Sequence, residues 1–235
     1  MKQKITEEKR VFNYGEYGSI YSEETYENII TIFKNNSNQP LSKRGRIILA
    51  DIGCGSADFG IRFARSTGIQ PVLCCDVAEN LLRKITDPLA FPLCGDASQL
   101  PFRENSLDIV IAAAIIHHFR EYPKLVHEFH RVMTRGAFLH IFEPNGASLK
   151  ELAQYAFGKY FIRDVFTKNE FPISPKKLIQ VLHNNGFLCS SIIPTRVIYR
   201  KKGDSGVLCK DRNMHIMAQR ATSKAGRNII PKIHT

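Results

Sequence analysis

The hydrophobic and polar positions of this 235-residue chain alternate between short apolar runs and segments with helical periodicity. The apolar runs are short enough to be strands, and apolar residues three and four apart predict helices between them. Runs without polar alternation suit strands that are covered on both faces. The pattern therefore predicts an α/β fold with a mostly parallel sheet. The five strands predicted in this part are 47–52, 71–76, 91–95, 108–114 and 137–143.

An aromatic segment, residues 145–172, interrupts this alternation. It predicts a helix and a loop above the sheet edge where open α/β folds bind ligands. Its aromatic residues are Tyr155, Phe157, Tyr160, Phe161, Phe166 and Phe171.

A last helix and two last strands are predicted beyond this segment. Ser174 and Pro175 suit the N-cap and first position of a helix that Gly186 ends. The connection between the strands is long for a hairpin, so we expect a functional or disordered loop. The two strands and the loop between them are 187–193, 215–221 and 194–214.

Composition predicts one globular domain with a sizeable core, since 43% of the residues are hydrophobic. We assign it to residues 1–222, with 1–40 as an N-terminal cap and 223–235 as a basic tail. No apolar run reaches membrane-spanning length and no hydrophobic leader is seen, so we expect a cytoplasmic location. The six cysteines lack paired metal spacing, so we expect free thiols and no metal.

The net charge of +11 is concentrated near the C-terminus. Residues 194–235 carry ten Lys/Arg and two Asp, which is +8 of the total. Such a segment can attract RNA or anionic lipid, or can simply be solvated. Tyr199 alone interleaves with these charges, which gives little support for stacking on single-stranded bases.

A glycine-rich turn follows the first predicted strand. Gly53 and Gly55 let the backbone turn sharply and approach a ligand, and the next helix points its N-terminus at the turn. The dinucleotide fingerprint needs a glycine where this chain has Asp58. A pyrophosphate would also meet the charges of Asp51 and Asp58, which disfavours an NAD-linked oxidoreductase. A cationic ligand suits these carboxylates.

This turn, Asp51-x-Gly53-x-Gly55, resembles the first motif of class I S-adenosylmethionine-dependent methyltransferases. The family often has a third glycine at Ala57. Residues 94–102 with 105–110 resemble the "GDA-x-x-LPF … NSFDVV" run of ubiquinone-biosynthesis-type methyltransferases. The resemblance covers about residues 45–145. It continues through Ala112–Phe119, Glu128–Met133 and Glu143–Asn145.

The resemblance implies a doubly wound, Rossmann-like sheet of seven strands in the order 3-2-1-4-5-7-6, with strand 7 antiparallel. It also implies S-adenosylmethionine as the cofactor. Asp76 would hold the ribose, Asp96 the adenine amino group, and Ala97 would cap the ring. Related enzymes fold an N-terminal segment over the cofactor, which makes Tyr17 and Tyr21 candidates. The alternative, that these rings only pack the N-terminal helix onto the sheet, stays open. The expected cofactor-binding residues are Asp51, Gly53, Cys54, Gly55, Asp76, Val77, Asp96, Ala97, Ala113 and Tyr17.

Two adjacent histidines, His117 and His118, are the candidate catalytic residues. They follow the fourth predicted strand, and histidine is the usual base at neutral pH. A base is needed only if the acceptor loses a proton early. His118 is preferred because it matches the position most often His in the family. The alternative, that the rings only pack the strand end, stays open. Glu143 would bind the acceptor or shape the loop.

Three functions follow from these features. The aromatic segment favours methyl transfer to a small, lipid-like or aromatic acceptor. The basic segment, and the resemblance of Ile115–Phe119 to wobble-uridine tRNA methyltransferases, favour methylation of tRNA or another RNA. A non-catalytic partner subunit with a cofactor fold is the third. We expect the acceptor to enter between 145–172, the N-terminal aromatics and the 194–214 loop.

Overall fold

The computed structural model describes residues 17–21, 23–36, 46–146, 171, 173–201 and 209–222. The described strands are β1 (Tyr17–Tyr21), β2 (Leu49–Ile52), β3 (Val72–Asp76), β4 (Ala90–Cys94), β5 (Leu107–Ala113), β6 (Met133–Pro144), β7 (Phe187–Lys201) and β8 (Cys209–Arg220). The described helices are α1 (Glu23–Asn36), α2 (Asp58–Thr67), α3 (Glu79–Leu82), α4 (Tyr122–Val132) and α5 (Pro175–Asn184). A 3₁₀ turn at Ile116–His118 follows β5.

All of these strands form one sheet in the order β1-β7-β8-β6-β5-β2-β3-β4. The strands β4, β3, β2, β5 and β6 run parallel, and β8 is antiparallel to both of its neighbours, β6 and β7. Without β1, this is the order 3-2-1-4-5-7-6 with an antiparallel seventh strand. The predicted fold is confirmed, including the pairing of Ala50 in β2 with Val110 in β5.

The sheet is covered on both faces, which explains the continuous apolar runs. In β5, Val110 and Ala112 face the core under α4 and α5, whereas Ile109 and Ile111 face the core under α1 and α2. All four side chains are fully buried. The second core contains an aromatic cluster that includes Phe33, Phe63, Phe138 and Phe142.

Two histidines lie inside this aromatic cluster. His140 in β6 and His215 in β8 are fully buried, and their rings are parallel at a centroid distance of 5.5 Å. The Nδ1 atom of His140 lies 3.2 Å from Nε2 of His215. Burial lowers the pKa of His140 to about 3 and that of His215 well below its usual value. Both rings are therefore neutral parts of the core.

The predicted 194–214 loop is wrong. β7 continues to Lys201 and β8 begins at Cys209, so only residues 202–208 between the two strands lie outside the described part. Ladder pairs run from Phe187–Arg220 to Tyr199–Cys209. The run Val197-Ile198-Tyr199 consists of good strand formers, and strand pairing stabilises it despite the charges around it.

The strand β1 was not predicted. It pairs antiparallel with the outer part of β7, with Tyr17 opposite Lys201 and Tyr21 opposite Val197. A five-residue strand that contains glycine and serine has a weak sequence pattern, and pairing with β7 is what makes it a strand.

Within the described residues, no helix is long and apolar enough to cross a membrane.

Candidate cofactor and acceptor site

The glycine turn after β2 is held against β3 and β5. The N–H groups of Gly53 and Cys54 donate to the carbonyl of Cys75, at 2.7 and 3.3 Å. Both glycines have positive φ, 71° for Gly53 and 53° for Gly55. A Cβ on Gly53 would lie 2.4 Å from Cδ1 of Ile115, whereas a Cβ on Gly55 would meet nothing within 4 Å. Gly53 is thus needed for packing, and Gly55 borders open space that a ligand can use.

The carboxylate of Asp76 joins the end of β3 to this turn. Its Oδ2 accepts a hydrogen bond from Gly55 N at 2.9 Å, and its Oδ1 accepts one from Ala78 N at 2.8 Å. A carboxylate has about four acceptor sites, so two backbone donors leave capacity for two hydroxyl donors. This geometry fits the predicted ribose contact. Val77 follows Asp76 in the same loop and is half-buried.

The end of β4 lies beside Asp76. Gly95 N donates to the carbonyl of Asp76 at 2.9 Å. The carboxylate of Asp96 accepts hydrogen bonds from the N–H and hydroxyl of Ser98, both at 2.8 Å, and Ala97 is buried. The ends of β2, β3 and β4 therefore meet, with the expected adenine-binding residues at one side of the glycine turn.

An ion pair on α4 braces the segment after Asp96. The guanidinium of Arg131 donates to the carbonyls of Leu100 and Phe102, at 3.1 and 3.0 Å. It also donates to Glu128, whose carboxylate accepts Leu100 N at 2.7 Å. The hydrogen bond from Arg131 lowers the pKa of Glu128. The sequence analysis did not predict this ion pair. Its sign in the sequence is the i, i+3 spacing of Glu128 and Arg131 on one helix.

Asp51 lies beneath the turn rather than on its surface. It is buried, and its Oδ2 accepts a hydrogen bond from Gly60 N at 3.0 Å. Burial, together with the charges of Asp76 and Asp58, raises its pKa to about 7 despite the hydrogen bond from Gly60 N. Its position supports the first turns of α2. A hydrogen bond with Cys74, together with burial, raises the pKa of Cys54, so its thiol is neutral.

The candidate histidines lie on the 3₁₀ turn after β5, and backbone N–H groups of this turn donate hydrogen bonds to the side chain of Glu143. Glu143, at the end of β6, is fully buried. Its Oε1 accepts hydrogen bonds from Ile115 N at 3.0 Å and Ile116 N at 2.6 Å. Its Oε2 accepts His117 N at 3.3 Å and lies 2.7 Å from Nδ1 of the same residue. Glu143 therefore shapes the turn, one of the two roles that the sequence left open.

The imidazole rings of His117 and His118 lie against each other at a centroid distance of 4.2 Å. His117 is buried and His118 is half-buried. Ala113, the expected backbone contact of the cofactor, ends β5 just before this turn and pairs with Phe142. Because Ile115 packs on Gly53, the histidine turn and the glycine turn are adjacent parts of one site.

Both ends of the aromatic segment come to this turn. Phe171 N donates to the carbonyl of His117 at 2.8 Å. Gly146 N donates to the carbonyl of Ile173 at 2.9 Å, and Asn145 forms a parallel bridge with Ile173. The predicted helix and loop between these ends, residues 147–170, lie outside the described residues.

One expected site residue lies apart from the others. Tyr17 is in β1, at the outer edge of the sheet and five strands away from β2. The described structure does not bring it to the glycine turn. The other expected residues lie at the adjoining ends of β2, β3, β4 and β5.

The fold is that of class I, Rossmann-like methyltransferases, and the arrangement of the site agrees with this class. Residues 50–141 match the profile of the family described as "Methyltransferase domain". The predicted resemblance is thereby confirmed, and the cofactor of this class is S-adenosylmethionine.

Several known proteins are similar to this chain. The demethylmenaquinone methyltransferase of Geobacillus kaustophilus is 30% identical over 127 residues, covering 50% of this chain and 54% of that protein. The biotin biosynthesis bifunctional protein BioHC of Cellvibrio japonicus is 32% identical over 110 residues, covering 46% of this chain and 22% of that protein. This chain thus spans about half, or less, of the length of these curated relatives.

Solved structures match the fold over most of the chain. Magnesium protoporphyrin IX methyltransferase from Synechocystis, with bound SAH, has a TM-score of 0.59 at 17% identity and covers 84% of this chain and 83% of its own. A methyltransferase from Thermotoga maritima, described as a possible histamine N-methyltransferase, has a TM-score of 0.57 at 18% identity, with coverages of 83% and 89%.

The residues of the site fit S-adenosylmethionine. Gly55 borders open space, and Asp76 retains acceptor capacity. The charged groups that act on Asp51 are Asp76 and Asp58, both acidic. Acidic surroundings suit a ligand that carries a sulfonium and an ammonium group, and they oppose a pyrophosphate.

Proposed function

We propose that this protein transfers the methyl group of S-adenosylmethionine to a small, lipid-like or aromatic acceptor. The observation that carries the acceptor class is the attachment of the aromatic segment beside the candidate histidines. The backbone N–H of Phe171 donates a hydrogen bond to the carbonyl of His117, and that of Gly146 donates one to the carbonyl of Ile173. Both ends of the segment therefore lie at the carboxyl edge of the sheet, where such folds bind substrates. Relatives named demethylmenaquinone methyltransferases support an acceptor of this kind.

Each group of residues has a distinct role in this proposal. Gly53 and Gly55 allow the cofactor to approach, Asp76 binds its ribose, and Asp96 with Ala97 binds its adenine. When bound, the cofactor supplies an electrophilic methyl group on a sulfonium. The protein contributes mainly proximity and orientation. A histidine of the turn after β5 removes the acceptor's proton where the acceptor has one to lose.

Titration and turnover together test this function. The pure protein is titrated calorimetrically with S-adenosylmethionine, its demethylated product and NAD. Transfer of labelled methyl groups is then measured against quinone-containing lipid extracts and against RNA. We expect the first two ligands to bind, NAD not to bind, and label to enter the lipid fraction. Binding without transfer to any acceptor would instead favour a non-catalytic partner subunit.

RNA is the second candidate acceptor, and the register of β8 favours it. Asn213 pairs with Pro144 at the carboxyl end of β6, so residues 209–212 continue past that edge of the sheet. There Arg196 is opposite Arg212, and Ile198 is opposite Lys210. A basic hairpin at the substrate edge suits phosphate contacts, which weaken steeply with salt.

Salt dependence separates the two acceptors. For a small apolar acceptor, turnover should change little between about 50 and 200 mM salt, and deletion of residues 223–235 should be tolerated. A collapse of turnover over this range, with cofactor affinity unchanged, would establish RNA instead. The variant Arg196→Ala/Arg212→Ala, with Arg103→Ala as a control away from the hairpin, would locate the effect.

A further inference from the structure

We propose that His117, rather than His118, accepts the proton in the methyl transfer, and that Glu143 is its positioning residue. This inference rests on the proposed methyltransferase function and adds a defined proton path to it. The contacts of one buried carboxylate carry it.

Four nitrogen atoms lie within hydrogen-bond distance of the Glu143 carboxylate. Three of them are consecutive backbone N–H groups, from Ile115 to His117, at 2.6 to 3.3 Å. These groups can only donate, so Glu143 acts as an acceptor. The fourth partner is Nδ1 of His117, at 2.7 Å from Oε2.

This contact selects one tautomer of His117. Because Oε2 accepts, Nδ1 must carry the hydrogen. In a neutral imidazole the lone pair is then at Nε2, which is the atom able to take a proton. A carboxylate on the opposite nitrogen also orients the ring and stabilises the imidazolium that forms. Glu143 thus gives His117 both properties that a general base needs.

The ring of His118 lies close to the Glu143–His117 pair. It lies 4.2 Å from that of His117, a distance at which two positive charges would repel each other strongly. Glu143 compensates a charge on His117, where its oxygen lies at hydrogen-bond distance, and this contact favours His117 as the ring that takes the proton.

The proton and electrons balance in this step. As a lone pair of the acceptor oxygen or nitrogen forms the bond to the methyl carbon, the carbon–sulfur bond breaks and its electron pair stays on sulfur. The acceptor's proton moves to Nε2 of His117, which becomes an imidazolium beside Glu143. That proton later passes to water. The hydrogen bond from Phe171 N to the His117 carbonyl holds the turn from the aromatic segment during this step.

The first test needs no acceptor. Nitrogen NMR of the imidazoles in the protein without cofactor should show His117 protonated at Nδ1 and unprotonated at Nε2 at neutral pH. In Glu143→Gln this preference should weaken, because the amide nitrogen cannot accept. The matched control is Glu128→Gln, which changes a carboxylate on α4 and should leave the His117 signals in place. Protonation of His117 at Nε2 in the wild type would overturn the proposal.

The second test is kinetic. His117→Asn keeps a donor near the Nδ1 position but has no basic nitrogen, and we expect kcat to fall about 10²- to 10⁴-fold. The calorimetric Kd for S-adenosylmethionine should change less than twofold. His118→Asn should lose less than tenfold. The reverse ranking would assign the proton to His118.

The tests separate failure of this inference from failure of the proposed function. If the wild type methylates no acceptor, the proposed function fails, and the NMR result still decides whether Glu143 sets the tautomer of His117. If it does methylate an acceptor but Glu143→Gln keeps both the wild-type kcat and its pH profile, the positioning role is excluded. Should Glu143→Gln fail to fold, the wild-type tautomer and His117→Asn decide the question.

Discussion

The N–H group of Gly55 donates a hydrogen bond to the Oδ2 atom of Asp76 at 2.9 Å, which joins the turn after β2 to the end of β3. The same carboxylate holds the loop after β3 through Ala78 N. Asp76 therefore fixes two ligand-facing backbone segments in addition to its proposed contact with the ribose. Its loss should be felt in both stability and cofactor affinity.

Asp76→Ala is expected to weaken S-adenosylmethionine binding by about 1.5–3 kcal/mol, or roughly 10- to 150-fold, since hydrogen bonds to a charged group are lost. Calorimetry measures this change, and circular dichroism confirms that the variant is folded. Asp87→Ala, on the loop before β4, is the control. A folded Asp76→Ala that binds as tightly as the wild type would refute the ribose assignment.

The two glycines of the turn should respond differently to the same change. Gly53→Ala places a Cβ against Ile115 at positive φ, so unfolding should become easier by roughly 2–4 kcal/mol through overpacking and backbone strain. Gly55→Ala meets open space and should lose only about 1–2 kcal/mol of stability. Cofactor affinity should nevertheless drop in Gly55→Ala. Urea unfolding and calorimetry measure the two quantities, and equal stability losses would contradict this division of roles.

Asp51 should make the protein less stable as pH rises. Its pKa is 3.8 in an unfolded chain and about 7 when folded. Between these values only the folded state binds the proton, so the free energy of unfolding falls with rising pH and levels off above about 7. Asp51→Asn keeps an oxygen for Gly60 N and removes this dependence, on the order of 4 kcal/mol at pH 8.

Urea unfolding at pH 5 and pH 8 measures this effect. Asp51→Asn should gain stability relative to the wild type at pH 8 and little at pH 5, whereas the exposed control Glu104→Gln should change neither. If Asp51→Asn is destabilised to the same extent at both pH values, the claim that Asp51 is buried as a neutral carboxyl group is wrong.

The histidine pair should produce the opposite slope. His140 has a pKa of about 3 when folded and 6.5 when unfolded, so between these values the unfolded state binds more protons. Stability should therefore rise with pH from about 3 to 6.5 and be complete above it. Replacing both members of the pair, in His140→Phe/His215→Phe, removes two buried titrating groups without leaving one unpaired. The pH dependence of unfolding below 6.5 should then flatten, and an unchanged slope would show that other groups cause it.

The sequence predicted the parts of the site that depend on local backbone geometry. Gly53 and Gly55 were identified because glycine lets the backbone turn sharply, and both have positive φ in the structure. Asp76 was identified because an acid at the end of such a strand can bind a ribose. The pair of Glu143 and His117 was not predicted, since it depends on the register that brings β6 beside β5, 26 residues apart in the chain. The long arm of β7 and β8 was missed for a related reason. Strand pairing, rather than local composition, decides that charged residues there continue the ladder.

The aromatic segment leaves and rejoins the sheet at one closed base, formed by Asn145, Gly146 and Ile173 beside His117. The distance between the two ends of the segment is therefore set by this base and not by the residues between the ends. The entropic cost of joining two fixed ends grows only slowly with the number of residues between them, so we expect this term to penalise a change in the segment's length only slightly. We therefore expect the base to accept segments of other lengths. Transplanting the corresponding segment of a relative onto this base offers a direct way to change which acceptor is methylated while keeping the cofactor half intact.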